Sequence, residues 1–159
     1  PAGASQAVKE LEVTGLIQST MQGRERVLSL AAGPEVVWNR AQSYLRSPVR
    51  QRLRIRFSEL PAEASLRAGE SALAALTDLA EPAEPSFAIA SRQWPRQGAP
   101  KSIPTPDTGT CVVELWRYSP EATAYSGCVD PLSLKLSLAD TLDERVQLAL
   151  ESIMEKIKW

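Results

Sequence analysis

The sequence predicts an α+β chain in two parts, a short helix with a β-hairpin and then a mixed α/β domain. Three observations support this fold class. Apolar residues recur at helical spacing near the start, apolar residues alternate with arginines over 49–57, and helical and strand-like segments are mixed thereafter. The composition of the 159 residues, 43% hydrophobic and 23% charged, is ordinary for a globular protein. No run of 18 apolar residues occurs, so we expect no membrane contact.

The first helix is predicted from apolar residues that share one face, namely Ala4, Ala7, Val8 and Leu11. Gly15 follows the last turn, where a residue without a Cβ atom most easily adopts a left-handed cap. Segments 16–21 and 25–30 then read as two strands joined through a tight turn at Gly23. A helix followed by a hairpin with a basic tip is the layout of a partial winged helix, made of a recognition helix and a wing.

The residues of this stretch resemble those of a known family. Three segments are similar to the recognition helix and wing of bacterial MarR-like winged helix-turn-helix regulators, namely Ser5–Glu12, Gly15–Ile17 and Gly23–Arg26. The similarity covers roughly the first 30 residues, and Gly23–Arg26 replaces the Asp-x-Arg that is usual in the wing. The helices that precede a recognition helix in that family are absent. We therefore expect this chain to be a fragment of a longer protein, or its natural start to lie upstream.

The resemblance implies that double-stranded DNA is the ligand. Ser5, Gln6 and Lys9, near the helix start, would contact base edges and phosphates, and Arg24 and Arg26 would contact the backbone or minor groove. It also implies a homodimer. Charge favours the same function, since residues 1–56 hold nine basic against four acidic residues and residues 57–159 hold nine against fifteen. A helix and hairpin that serve only as scaffold, with solvated charges, are the alternative.

We divide the chain into 1–33 as the end of a winged-helix domain, 34–48 as a linker helix and 49–159 as the α/β domain. Pro34 suits the first turn of a helix over 34–46, and the position before Pro48 disfavours helical backbone. The segment Val49–Phe57 reads as a strand with one buried face. Its other face carries a row of arginines, Arg50, Arg52, Arg54 and Arg56.

Three interpretations of this arginine row remain open. The arginines would follow the phosphates of a nucleic acid, dock an acidic protein, or form a sheet face that is solvated or paired within the chain. We favour the last, because the acidic second half can supply intramolecular partners.

Further elements are predicted along the α/β domain. They are a long helix over 62–79, a strand at 86–91, a surface loop over 94–107, a strand at 111–118, a short strand or turn at 127–131 and a final helix from about 140 to 157. Gly69 inside the first of these helices indicates either close approach of another backbone or a break. Segment 132–138 fits a strand by alternation, but Asp130 and Pro131 fit a helix start, which we favour.

An enzyme is not expected. Gly69–Leu73 faintly resembles the Gly-Ser segment of nucleotidyltransferase-like folds, which need paired metal-holding carboxylates on the next strand. The acidic residues that follow this segment most closely before the next strand, Glu81 and Glu84, lie in a proline-rich loop and not on that strand. Glu114 is a single carboxylate on a later strand. The chain has no histidine and two cysteines, which we interpret as buried thiols, so we expect no metal and no cofactor.

A winged helix followed by an acidic α/β domain also resembles antitoxin regulators of abortive-infection systems. From both resemblances we expect a cytoplasmic transcriptional regulator that acts as a repressor and whose rear domain senses a ligand or mediates assembly. The alternative is an antitoxin-type interaction module that binds a protein partner through residues 57–159.

Overall fold

The computed structural model describes residues 2–95 and 97–159. Within them the chain is a mixed α+β protein with five α-helices and two β-sheets, which confirms the predicted class. It forms two compact units, Pro1–Leu45 with Lys158–Trp159, and Arg46–Ile157. No helix in the described ranges has both the length and the apolar character required to cross a membrane.

The first unit contains helix α1 (Ala2–Val13), strands β1 (Ile17–Gln22) and β2 (Glu25–Leu30), and helix α2 (Pro34–Ala41). The predicted glycine stop is confirmed, because Gly15 has φ +69°. The Leu16 amide donates to the Leu11 carbonyl and the Gly15 amide to the Glu12 carbonyl, the pattern of a Schellman cap. The two strands pair antiparallel through a two-residue turn whose Gly23 has φ +65°.

Helix α2 ends five residues earlier than the predicted 34–46. Its last turn tightens, because the Tyr44 amide donates to the Ala41 carbonyl at 2.8 Å, an i→i+3 bond. Ser47 precedes Pro48 and is thereby kept out of helical backbone. The helix falls within the first compact unit.

The second unit is built on a four-stranded sheet of order β3-β6-β5-β4, in which β6 lies antiparallel to β3 and parallel to β5. Its strands are β3 (Val49–Arg56), β4 (Leu66–Arg67), β5 (Ser86–Ala90) and β6 (Thr110–Trp116). Its helices are α3 (Gly69–Leu76), α4 (Pro131–Ser137) and α5 (Glu144–Glu155). Two single 3₁₀ turns lie at Phe57–Glu59 and Pro120–Thr123.

The sheet has an apolar core on each face. On one face Ala88 and Trp116 pack against Leu73, Leu134 and Val146 of the three helices. On the other face lies a second core that loops cover, made of Ile55, Ile89, Cys111, Val113 and Leu115 with Ala64, Leu53, Leu60, Phe87 and Trp94. Successive side chains of β6 thus point alternately into the two cores. The only charged residue of β6, Glu114, lies on the helix side.

The predicted helix over 62–79 is wrong in its first half. Leu66–Arg67 forms β4, Ala68 is extended, and α3 begins only at Gly69, whose φ is +51°. The Ala68 amide donates to the Ser86 carbonyl at 2.9 Å, so pairing with β5 overrides the local helix propensity. Of the two interpretations of Gly69, the break is the correct one.

The later predictions agree better with the structure. Segment 132–138 is helical, as favoured, and Asp130 Oδ1 accepts from the Ser133 amide at 2.9 Å as its N-cap. The final helix is confirmed, with Asp143 as N-cap. In the 127–131 segment Cys128 forms isolated bridges to Arg67 and Tyr125. The predicted 94–107 loop includes Arg96, which lies outside the described residues.

Candidate functional site

The polar face of α1 carries the predicted base-contacting residues. Ser5, Gln6 and Lys9 are all exposed and, at spacings of three and four, lie on one face of the helix. The Gln6 amide donates to Glu10 Oε1 at 2.9 Å. Lys9 takes part in no salt bridge found among the described residues. The three side chains are therefore exposed together on one face of α1.

The two wing arginines occupy different environments. Arg24 stands exposed in the turn of the hairpin. Arg26 Nη2 instead donates to both oxygens of Glu12 on α1, at 2.9 and 2.8 Å, while its Nε donates to Ser19 Oγ at 2.9 Å. A hydrogen bond from Ser19, and then those from Arg26, lower the pKa of Glu12. Arg26 thus ties the hairpin to the helix, and its charge is largely neutralised there.

The charge asymmetry along the sequence does not coincide with the two units. The first unit holds five basic and four acidic residues, and Arg46–Ile157 holds thirteen and fifteen. The excess of five positive charges over 1–56 arises because Arg46 and the arginine row belong to the second unit. The unit that contains the helix and hairpin is thus close to neutral, with a formal charge of only +1.

The predicted four-membered arginine row is interrupted by a β-bulge. Val49 pairs with Trp116 and Gln51 with Leu115, so Arg50 is an extra residue without a partner in the ladder. Val49 consequently packs against the helix-side core, whereas Leu53 packs against the opposite one. Period-two alternation thus breaks at Arg50, and the row has three members.

Those three arginines are paired within the unit. Arg52 Nε lies 3.0 Å from Glu114 Oε1, Arg54 Nε 2.6 Å from Glu84 Oε1, and Arg56 Nη1 2.9 Å from Asp107 Oδ2. They also donate to main-chain carbonyls, those of Ser137, Pro104 and Thr108 respectively. Of the three interpretations, pairing within the chain is the one that the geometry supports.

A cleft of about 800 Å³ opens on the helix-side face of the sheet. Glu114, only 1% exposed, lies at its floor and accepts at 3.0 Å from both Arg52 Nε and Trp116 Nε1. Gly69 lines the cleft beside it, and a Cβ atom there would lie 3.6 Å from Glu114 Oε1. Glu70 and Asp140 stand exposed at the rim.

Several carboxylates in and near this cleft have hydrogen-bond or salt-bridge partners. Both Glu114 oxygens have donors, Glu81 pairs with Arg67, and Glu84 pairs with Arg54. Ser71 Oγ accepts from the Ser86 amide at 2.9 Å. In the part of the chain that the structure describes, no three carboxylate or thiol side chains converge as metal ligands would.

Both cysteines are free and buried, as predicted. Burial, and secondarily the charge of Glu84, raises the pKa of Cys111 to about 11. Burial likewise raises the pKa of Cys128. Since the thiolate is the reactive form, neither side chain is suited to act as a nucleophile near neutral pH.

Sequence reasoning missed two features of the second unit. Arg92 and Arg117, which it did not single out, line a surface concavity with Arg50 and Ser91. Arg50 near the start of β3 is far in sequence from Arg92 and Arg117, which follow β5 and β6. Only the strand order reveals that these three residues are close in space. Likewise, no partner for Glu114 could be recognised in the sequence, because Arg52 lies 62 positions away along the chain.

Comparisons with protein-family models, curated proteins and solved structures gave no match to this chain. The resemblances to MarR-like and antitoxin regulators therefore stay predictions.

Proposed function

We propose that this chain is a DNA-binding transcriptional regulator, in which α1 enters the major groove and the β1–β2 hairpin contacts the backbone. The observation that carries the proposal is the exposed polar face of α1 next to a hairpin fixed to that helix. Arg26, Glu12 and Ser19 form the link between them. A fixed angle between helix and hairpin is what simultaneous contact with groove and backbone requires.

Within this proposal the residues divide their roles. Gln6 is suited to hydrogen-bond a base edge, since its amide offers both a donor and an acceptor. Lys9 and Arg24 supply phosphate contacts, which orient the protein without reading sequence. Arg26 positions the hairpin. The second unit then senses a ligand or mediates assembly, and the regulator acts as a repressor.

The small positive charge of the first unit limits its affinity for DNA. Lys9 and Arg24 are its two proposed phosphate contacts, so one copy neutralises about two phosphates. A plot of the logarithm of the DNA-binding constant against the logarithm of the salt concentration should then have a slope of about −2. A homodimer on two half-sites would double this slope to about −4. The slope therefore counts phosphate contacts, and it reports the number of bound copies when Lys9 and Arg24 supply all of them.

The test is fluorescence-anisotropy binding of the whole chain to mixed genomic duplexes at two or more salt concentrations. Lys9→Gln and Arg24→Gln should weaken binding to all sequences and reduce the magnitude of the salt slope by about 1 per copy. Gln6→Ala should change the preferred sequence instead. Arg40→Gln is the matched control, because Arg40 is exposed on α2 of the same unit.

Two results would contradict the proposal. One is a salt slope that the Lys9 and Arg24 variants leave unchanged. The other is equal weakening by Arg40→Gln, which would show a response to net charge alone.

A second candidate function, binding of a basic protein partner, is favoured by the outer face of α5. Glu144, Leu148, Glu151 and Glu155 follow one another at helical spacing, and all are exposed. Leu148 is 65% exposed, an apolar residue in the middle of an acidic stripe. Such a stripe suits a partner with basic residues around an apolar contact.

This alternative predicts that Leu148→Glu together with Glu151→Lys abolishes co-purification of a partner, whereas Lys9→Gln with Arg24→Gln leaves it intact. The reverse pattern would assign the partner to the first unit. That result would contradict the proposed role of α5.

A further inference from the structure

A second basic feature lies at one edge of the four-stranded sheet and includes Arg50, which the bulge separates from Arg52, Arg54 and Arg56. A concavity of about 520 Å³ is lined by Arg50, Ser91, Arg92 and Arg117. Because β5 and β6 are parallel, their carboxyl ends meet at the same edge, and antiparallel β3 begins there. Three arginines from three different strand ends therefore converge.

The backbone of this edge is held by hydrogen bonds. Both the amide and the hydroxyl of Ser91 donate to the Trp116 carbonyl at 2.8 Å. The Arg117 amide donates to the Pro48 carbonyl at 2.9 Å. The β-bulge then places Arg50 outside the ladder, and bulges commonly redirect a side chain toward a site. The positions from which the three guanidinium groups extend are thus fixed by the sheet.

The concavity carries a local excess of positive charge, although Arg50 also borders the cleft whose rim carries Glu70 and Asp140. Arg50, Arg92 and Arg117 are exposed, and none belongs to a salt bridge found among the described residues. Of the residues that the structure describes, those lining the concavity include no carboxylate. Arg52, Arg54 and Arg56 of the same sheet all have acidic partners. Three convergent arginines that form no salt bridge within the described ranges, in a unit with two more acidic than basic residues, favour an anionic ligand.

We propose that this concavity is a phosphate-binding site. Guanidinium groups match phosphate oxygens in geometry and form charge-assisted hydrogen bonds with them. The phosphate could belong to a nucleic-acid backbone or to a small phosphorylated ligand, which share this chemistry. The site lies wholly within Arg46–Ile157, so its test does not depend on the role proposed for α1 and the hairpin.

The test uses the whole chain with inorganic phosphate and pyrophosphate as probes, followed by NMR of the arginine Nε–Hε groups. The Nε–Hε signals of Arg50, Arg92 and Arg117 should shift together with a single Kd. Arg92→Gln with Arg117→Gln should weaken binding by at least about tenfold, as expected from loss of charge-assisted hydrogen bonds. Arg145→Gln is the matched control, because Arg145 is exposed on the same unit and paired with Asp143.

Duplex DNA then distinguishes the two sources. If the backbone is the source, the double variant weakens duplex binding and reduces the magnitude of the salt slope by about 2. If a small ligand is the source, duplex binding is unchanged while pyrophosphate binding is lost. Either result supports the site. Equal shifts at Arg145, or equal weakening by Arg145→Gln, would show non-specific ion binding and overturn it.

Discussion

At the scale of single residues, Glu114 is the most constrained charged group. Among the described residues it is the only charged side chain that is fully buried. Its two oxygens accept from Arg52 and from the Trp116 indole, so removal of the carboxylate would leave a buried donor without a partner. Arg52 also reaches the Ser137 carbonyl at the end of α4. The carboxylate therefore joins two strands and a helix.

We expect Glu114→Gln to lower the free energy of unfolding by about 2 to 3 kcal/mol, less than for a fully buried ion pair because Arg52 is half exposed. Urea unfolding at pH 7 measures this loss. Glu70→Gln, an exposed change in the same cleft, should stay within about 0.5 kcal/mol of the parent. Equal effects of both variants would show that the pairing of Glu114 contributes nothing.

Glu84 should make stability depend on pH. Burial opposes its ionisation, but hydrogen bonds from Arg54 and Thr110 outweigh this, so the pKa lies below the ordinary 4.5. Its stabilising contribution is then complete above pH 4.5 and is lost as the pH falls through the lowered pKa of the folded state. Between pH 7 and pH 3 the parent should lose more unfolding free energy than Glu84→Gln. Parallel curves for the two proteins would contradict this role.

At the scale of elements, Gly69 determines where α3 begins. Its φ of +51° turns the chain from β4 into the helix, and a Cβ atom would meet its neighbours only at ordinary contact distance. The cost of Gly69→Ala should therefore come from the backbone, about 1 to 2 kcal/mol in the free energy of unfolding. Gly3→Ala, which meets nothing within 4 Å and is not left-handed, should cause no loss. Denaturant titration compares the free energies of unfolding of the two variants. An unchanged free energy of unfolding for Gly69→Ala would show that the left-handed backbone at this position causes no strain.

Elements with local signals were predictable, and those that depend on distant partners were not. The first helix with its Gly15 cap, the hairpin and the last helix follow from periodicity and capping residues. Strand β4 was missed because its two residues have helical propensity and are held by pairing with β5. The bulge at Arg50 was missed because alternation in one strand carries no information about its register with β6.

At the scale of the whole molecule, the candidate binding sites were likewise predictable only where the signal is local. Exposure of Ser5, Gln6 and Lys9 follows from helical periodicity, so the sequence could place them on one polar face. No local pattern indicated that Arg26 pairs with Glu12, or that Arg50, Arg92 and Arg117 line one concavity. Charge counted along the chain was misleading because the compact units divide it elsewhere.

The two units should also differ in stability. The first buries few apolar side chains and leaves Met21, Leu28 and Leu30 of its hairpin exposed, whereas β6 lies between two cores. Since local opening costs less where little apolar surface is buried, amides of β1 and β2 should exchange hydrogen at least about a hundredfold faster than those of β6. Native-state exchange followed by mass spectrometry measures this.

The comparison becomes sharper when it is repeated at a tenfold lower protein concentration. Exchange that is fast and independent of concentration would confirm that the hairpin is weakly stabilised within one chain. Hairpin protection equal to that of β6 would contradict the expectation. If that protection also fell on dilution, a second copy would be covering the exposed apolar residues of the hairpin, since only association depends on protein concentration.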